Sequence, residues 1–328
     1  MLFQEGNSSG SPLSVLETAI TDGGSHMASN TRRKKLQEIP LHIMLLPGVI
    51  LSVLFHYIPI GGIVIAFQKF VPSRGIFNSK WIGLDNFHYL FNLPNFTSVL
   101  WNTIFIAVMK IIAGLIVPII VALLLNEVIS NSFKRTIQTI IYFPYFLSWV
   151  ILGGILIDIL SPTNGIVNQA LGFFGIDPIF FLGNEKWFPF TLVLSNTWKE
   201  FGYSTIVYLA ALTAIDLHLY EAAIVDGANR WKQTLHVTLP GIMPIVTLMA
   251  VLSLGNVLNA GFDQVFNLYS PMVYSTGDIL DTMVYRIGLI DAQYGVATAV
   301  GLFKSVIALG LITLSNFLAG KYAGYRIF

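Results

Sequence analysis

The chain has 328 residues, 55% of them apolar and 11% charged, with a mean hydropathy of +0.71. Soluble domains carry roughly 25% charged residues, so an apolar surface this large needs lipid to cover it. A net charge of +1 gives nucleic acid no electrostatic hold, and a cysteine count of zero excludes disulfides, thiolate metal sites and cysteine nucleophiles.

Residues 1–36 read as a cytoplasmic leader. The first 29 are rich in Gly and Ser without a long apolar run, so no cleavable signal peptide is expected. Within them, GSHMAS at 24–29 looks like a cloning scar, the alternative being a native match by chance. Residues 37–328 read as one transmembrane domain. A membrane-spanning helix needs roughly 20 mostly apolar residues, and six segments qualify: 43–67, 100–125, 137–160, 190–214, 242–262 and 296–319. The expected fold is therefore an all-α integral membrane protein with six transmembrane helices. Pro47 and Pro59 predict a kinked or partly interfacial first span.

An even number of spans puts both termini on one side, and the basic residues say which. Arg32, Arg33, Lys34, Lys35, Lys134, Arg135, Arg230, Lys232, Lys321 and Arg326 fall on the side of the termini. Lys69, Arg74, Lys80, Arg286 and the span-edge Lys186 fall on the other. The positive-inside rule places the termini and the 215–241 link in the cytoplasm. The outer segments are longer. Residues 68–99 carry Trp81, Phe87, Tyr89 and Phe91 as interfacial anchors, while 161–189 and 263–295 are punctuated by Gly and Pro. They either receive a solute-delivering protein or simply cap the bundle.

Ionisable residues inside spans are costly and tend to face the bundle interior or a wet path. Lys110 lies mid-way along the second span, Lys199 and Glu200 within the fourth, and Lys304 within the sixth. Lys199 and Glu200 are adjacent, so on a helix they point about 100° apart and do not simply neutralise each other. Snorkelling of the long stem to the headgroups is the competing reading, best for Lys304 and poorest for Lys110. Trp149, Trp198 and Tyr203 offer flat faces for sugar rings, and Asn196, Asn256, Asn259 and Gln264 offer amides for hydroxyls. Packing is the alternative role for each aromatic. The pathway candidates are thus Lys110, Trp149, Trp198, Lys199, Tyr203, Asn256, Asn259 and Lys304.

The link between spans four and five is the most informative stretch. Residues 221–244 read EAAIVDGANRWKQTLHVTLPGIMP. Ala222, Ala223, Ala228 and Arg230 favour helix, Gly227 allows a bend, and Pro240 and Pro244 suit the first turn of the next span. Two short helices at an angle, projecting from the membrane toward a soluble partner, are expected; the alternative is an ordinary amphipathic loop helix.

E-A-A, D-G-A and L-P at Glu221, Ala222, Ala223, Asp226, Gly227, Ala228, Leu239 and Pro240 resemble the cytoplasmic loop of permease subunits of ABC importers. IGLDNF at 82–87, FPYFLSWV at 143–150, YLAAL at 208–212, GFDQVFNL at 261–268 and TAVGLFKSVI at 298–307 are similar to the sugar permeases of that superfamily, in the branch that handles polysaccharide fragments such as alginate. The resemblance runs from Arg33 to the C-terminus. It implies that the loop is a coupling helix docked on an ATP-hydrolysing subunit. It further implies a second homologous permease, a homodimer of ATP-binding subunits holding ATP and Mg, an extracytoplasmic solute-binding protein, and residence in the bacterial cytoplasmic membrane. The chain itself is expected to be non-catalytic, with no bound cofactor or metal. It has no G-x-x-x-x-G-K-[ST], H-E-x-x-H or G-x-S-x-G, and its His residues are scattered. An ion-coupled secondary transporter would need coupling carboxylates at mid-depth, where only Glu200 lies; a membrane enzyme would need a convergent His/Asp/Glu cluster. Buried lysines without equal mid-depth carboxylates suggest an acidic oligosaccharide, with a neutral glycan as the competing substrate.

The topology has a clean test in a cysteine-free chain. Single cysteines at Ala28, Asn229 and Gly324 should react with an impermeant thiol reagent only from the cytoplasmic side, and one at Asn184 only from outside. Labelling of position 229 from outside overturns the orientation.

Overall fold

A computed structural model describes residues 40–255 and 257–322. The leader 1–36, with its four basic residues, Asn256 and the 323–328 tail with Arg326 lie outside the described residues. The chain divides into two units, 1–62 and 63–328. Helix α1 (Pro40–Phe67) carries the chain from one into the other, with nearly all of its side chains exposed. Its Pro59 lacks an N–H and crowds the carbonyl four residues back. A π turn over Val53–Tyr57 absorbs that conflict, and the helix tightens to a 3-10 form from Gly61 to Phe67.

Outside the helices the described chain has one small sheet. Strands β1 (Gln68–Lys69) and β2 (Lys80–Trp81) pair antiparallel, and Phe67 stacks on Trp81 with centroids 5.7 Å apart. Helix α2 (Asp85–Phe91) follows, then the second span, α3 (Phe96–Asn126). Helices α4 (Asn131–Tyr142) and α5 (Trp149–Ile159) occupy the place of the third span. The fourth is α6 (Phe188–Thr213), and the link helix is α7 (Leu217–Val225). Then come α8 (Arg230–Leu254), α9 (Phe262–Leu268), α10 (Leu280–Tyr285) and the last span, α11 (Tyr294–Tyr322). The architecture is all-α, with four helices long and apolar enough to span a membrane and two bent pairs that supply up to two more.

Two expected spans differ from the sequence reading. The single helix over 137–160 is a bent pair: Asn131–Phe146 and Trp149–Ile159 meet at 105°. Pro144 opens a short 3-10 turn, Leu147 and Ser148 are extended, and the Ser148 hydroxyl accepts from the Ile151 N–H at 3.3 Å to start α5. The fifth span does not run over 242–262 either. It begins at Arg230 and ends at Leu254, because the second half of the polar link is helical and continuous with it. Pro240 and Pro244 therefore sit inside a helix rather than in its first turn. The same solution serves as in α1: a π turn, Thr234–Thr238, immediately precedes Pro240.

The core is built on α3 and α6. Ile106, Ala107 and Leu192 join Leu152 and Leu156 of α5 in one buried cluster. At the other end, Ala122, Tyr208, Leu212 and Ile242 tie α3, α6 and α8 together. Small residues let backbones approach where lipid supplies no hydrophobic drive between helices. Gly202 of α6 is the sharpest case, since a Cβ there would overlap the Ile141 carbonyl of α4. The 263–295 segment is equally ordered. Asp278 is buried and paired with Arg286 at 2.5 Å, while the Asn102 amide of α3 donates to the carbonyls of Ser275 and Asp278. Arg286 also lies over the Tyr274 ring, and burial together with the nearby Tyr274 hydroxyl pushes the Tyr269 phenol up to about 12.

Candidate functional site: a polar cavity and the link that leads to it

A cavity of about 390 Å³ lies between α3, α6, α8 and the segment that follows α8. Its polar lining is Lys110 from α3, Asn196, Glu200 and Ser204 from α6, Ser253 from α8, and Asn259. The α6 residues are spaced by four, so one stripe of that helix faces the space. The next stripe, Ser195 and Lys199, is buried in the protein.

Lys110 holds one wall in place. Its ammonium donates to the Ala260 carbonyl at 2.5 Å and to Gln264 Oε1. The Gln264 amide then donates to the Leu192 carbonyl and to Ser195 Oγ, both at 2.8 Å. Gly261, between the two lysine acceptors, has φ +93, a backbone state open mainly to glycine, and a Cβ there would come within 3.0 Å of the ammonium. An ammonium has three N–H donors, and two of them are committed inside this chain.

Lys199 has a different set of partners. Its ammonium donates to the Tyr145 carbonyl at 2.7 Å, at the break between α4 and α5, and lies 5.1 Å and 5.8 Å from the ring centroids of Tyr145 and Trp149. Tyr145 in turn stacks on Tyr203 with centroids 4.2 Å apart and planes within 7°.

The polar link connects directly to the cavity-lining helix. Helix α7 leaves the end of α6 at 69°, and the Asp216 carboxylate caps it by accepting from the His218 N–H at 3.0 Å. At its other end the Ala228 N–H donates to the Ala223 carbonyl at 2.9 Å, and the Gly227 N–H to Ile224 at 3.0 Å. This is a Schellman closure, with Gly227 in the left-handed position at φ +75. Asn229 then caps α8 by accepting from the Lys232 N–H at 2.9 Å. The Gln233 amide donates to the Ala228 carbonyl at 2.9 Å, and the Tyr220 and Thr238 hydroxyls bond at 2.9 Å. Hydrogen bonds thus close the link at both ends of α7 and at the start of α8. Glu221, Ala222, Asp226, Gly227 and Pro240 are exposed, Ala223, Ala228 and Leu239 half-buried, and Leu217, Ile224, Val225 and Trp231 present apolar side chains outward.

Residues 114–322, which hold the link and most of the cavity, match the family of binding-protein-dependent transport system inner membrane components. The chain belongs to that family. Among its relatives is the polygalacturonan/rhamnogalacturonan transport system permease YteP of Bacillus subtilis, 43% identical over 90% of this chain and 92% of its own. The arabinooligosaccharides permease AraP of the same organism is 29% identical over 85% of this chain and 88% of its own. The fold superposes with a TM-score of 0.82 on a chain of a bacterial ABC transporter involved in import of the acidic polysaccharide alginate. That chain is 38% identical, over 89% of this one and 99% of its own.

Within this permease, the residues singled out from sequence do not form one site. Lys110 and Asn259 line the cavity; Lys199, Trp149 and Tyr203 gather around Tyr145. Trp198 lines a separate apolar cavity of about 610 Å³ between α5, α6 and the loop that joins them. Lys304 does not snorkel: it pairs with Asp281 of α10 at 2.5 Å. Asn256 lies outside the described residues. Lys199 and Glu200, expected to point apart, come within 3.7 Å of each other. The link is one short helix and the start of a long one, rather than two short helices. Sequence reasoning names Glu200 as an in-span charge but not among the pathway candidates, and does not single out Ser204 and Ser253 as cavity residues or Tyr145 as the hub of the aromatic cluster. The four-residue spacing of Asn196, Glu200 and Ser204 was the available signal.

Lys110→Met tests whether the lysine positions the wall or touches solute. It leaves Ala260 and Gln264 without a buried donor, at a cost of about 1–3 kcal/mol. The expected outcome is a lower Tm of the purified permease complex and equally reduced uptake of charged and neutral glycans. Selective loss of charged glycans at unchanged Tm would make Lys110 a substrate contact.

Proposed function

We propose that this permease is one half of the pore of an ATP-driven importer of acidic oligosaccharides in the bacterial cytoplasmic membrane. The observation that carries the reading is the polar cavity on the helix that runs straight into the rigid link. Its amides, hydroxyls and charged groups suit a hydroxyl-rich solute passing in a wet path. Two relatives support the acidic class, since polygalacturonan and alginate are both polymers of uronic acids. A second homologous permease would close the other half, and an extracytoplasmic binding protein would deliver the glycan. That second role parallels the alginate transporter solved with an alginate pentasaccharide-bound periplasmic protein.

ATP and Mg would be bound by a homodimer of ATPase subunits beneath the link, with both termini on the same cytoplasmic face. Helix α7 would sit on an ATPase subunit through its exposed apolar side chains, and closure of the ATPase dimer would displace α7 and, through α6 and α8, the cavity walls. A stiff link is what such coupling requires, and Gly227 sets its angle. A second reading, a neutral oligosaccharide, is favoured by one observation: Glu200 shares the cavity with Lys110, so the charges on this half balance.

Gly227→Val places a β-branched residue in the left-handed region, at a cost of about 1–2 kcal/mol or more. The variant should insert and assemble but lose substrate-stimulated ATP hydrolysis. Normal stimulation in a well-assembled Gly227→Val complex removes the coupling role.

The substrate class is decided by loading the cognate binding protein with a glycan panel and measuring ATPase stimulation in proteoliposomes. Uronate oligomers should stimulate, and neutral xylo- or arabino-oligomers should not. The reverse order establishes the neutral reading.

A further inference from the structure

Three contacts join the end of α4 to the middle of α6 within one helical turn. The Ile141 carbonyl lies so close to Gly202 that a Cβ has no room. The Tyr145 ring stacks on Tyr203, and the Tyr145 carbonyl accepts from Lys199. That carbonyl belongs to the turn where the chain bends by 105° into α5, so continuing helix gives it no partner. In lipid an unsatisfied carbonyl is expensive, and the Lys199 ammonium, itself buried, is the group that satisfies it. The two aromatic rings beside the ammonium add cation–π attraction.

We propose that Lys199 is a positioning residue for transport: it clips the α4–α5 break to α6, so that displacement of α7 carries α4 and the root of α5 along with the cavity wall. The proposal rests on the coupling reading of α7 and extends it to a second helix. Lys199 lies one residue before Glu200, on the α6 stripe next to the cavity stripe. The same turn of α6 therefore faces solute on one side and holds the broken helix on the other. Without the clip, α4 would follow α6 only through the close approach at Gly202 and the Tyr145–Tyr203 stack.

Spin-label distances in the full transporter test this directly. Labels at Thr136 on α4 and Thr213 on α6 should keep one distance in the nucleotide-free and ATP-trapped states, while the distance between labels at Asn184 and Val225 on α7 changes. A change of the 136–213 distance by more than about 2 Å in the unmutated protein means the two helices do not move together, and overturns the clip while leaving the coupling reading intact. Constant distances at both pairs remove the movement itself, and overturn both. Lys199→Met should lower glycan imported per ATP hydrolysed by about tenfold with basal hydrolysis retained, and Lys199→Arg should restore most of it. An unchanged import-to-hydrolysis ratio in Lys199→Met overturns the proposal. Loss of assembly in both variants reduces Lys199 to a folding residue and overturns it as well.

Discussion

A backbone carbonyl left over where a helix breaks inside a membrane has no water to turn to. Among the described residues the chain leaves regular helix after Phe146 and after Leu254, and in or beyond each of these irregular stretches a backbone carbonyl accepts from a lysine of another helix. Lys199 takes the Tyr145 carbonyl, and Lys110 takes that of Ala260. The third lysine within a span, Lys304, instead anchors α11 to α10 through Asp281. The breaks are what let short helices fold back into the bundle and leave a polar cavity beside α6. The lysines are what make the breaks tolerable. Charges that hydropathy marks as anomalies are thus the means by which irregular backbone survives in this bundle.

Helix α6 brings the pieces together because its faces do different work. Asn196, Glu200 and Ser204 line the cavity, Ser195 and Lys199 hold neighbouring segments, and Gly202 admits α4 at backbone distance. Its end passes through a three-residue corner into α7, closed by a side-chain cap at one end and a Schellman turn at the other. Such a corner stores no slack. A push on α7 meets hydrogen bonds at Asp216, Tyr220 and Gln233 before it meets any freely rotating backbone.

The sequence made the membrane class, most of the spans and the link legible, because hydropathy and the E-A-A…D-G-A…L-P spacing are local properties. Gly227 could be read as a bend because a left-handed C-cap is a demand that glycine meets at no steric cost. The break in the third span is illegible because 137–160 is mostly apolar, and summed hydropathy does not register that Pro144 and Ser148 stop one helix and start another. The start of the fifth is hidden because residues 230–238 read as a short helix separate from the span, whereas a π turn at Thr234–Thr238 lets one continuous helix run through Pro240. The partners of the lysines were illegible for a different reason. Those contacts join residues 54 and 150 positions apart, and periodicity reports which face a residue occupies but not what waits opposite.

That last separation has a consequence for biogenesis. The acceptors of Lys199 and Lys304 precede them in the chain, by 54 and 23 residues, so each of these lysines leaves the ribosome with its partner already made. Lys110 does not: Ala260 is synthesised 150 residues later. At about 5–20 residues per second, α3 must wait many seconds with an unmatched ammonium, and a lysine at the centre of a span raises the cost of insertion by about 3 kcal/mol. The very apolar remainder of α3, the highest in hydropathy of the four single-helix spans at 2.8, is what carries it across during that interval. Of the three lysines Lys110 is therefore the one that waits, and a nascent chain stopped short of Ala260 holds its second span in the bilayer before either acceptor of that lysine exists.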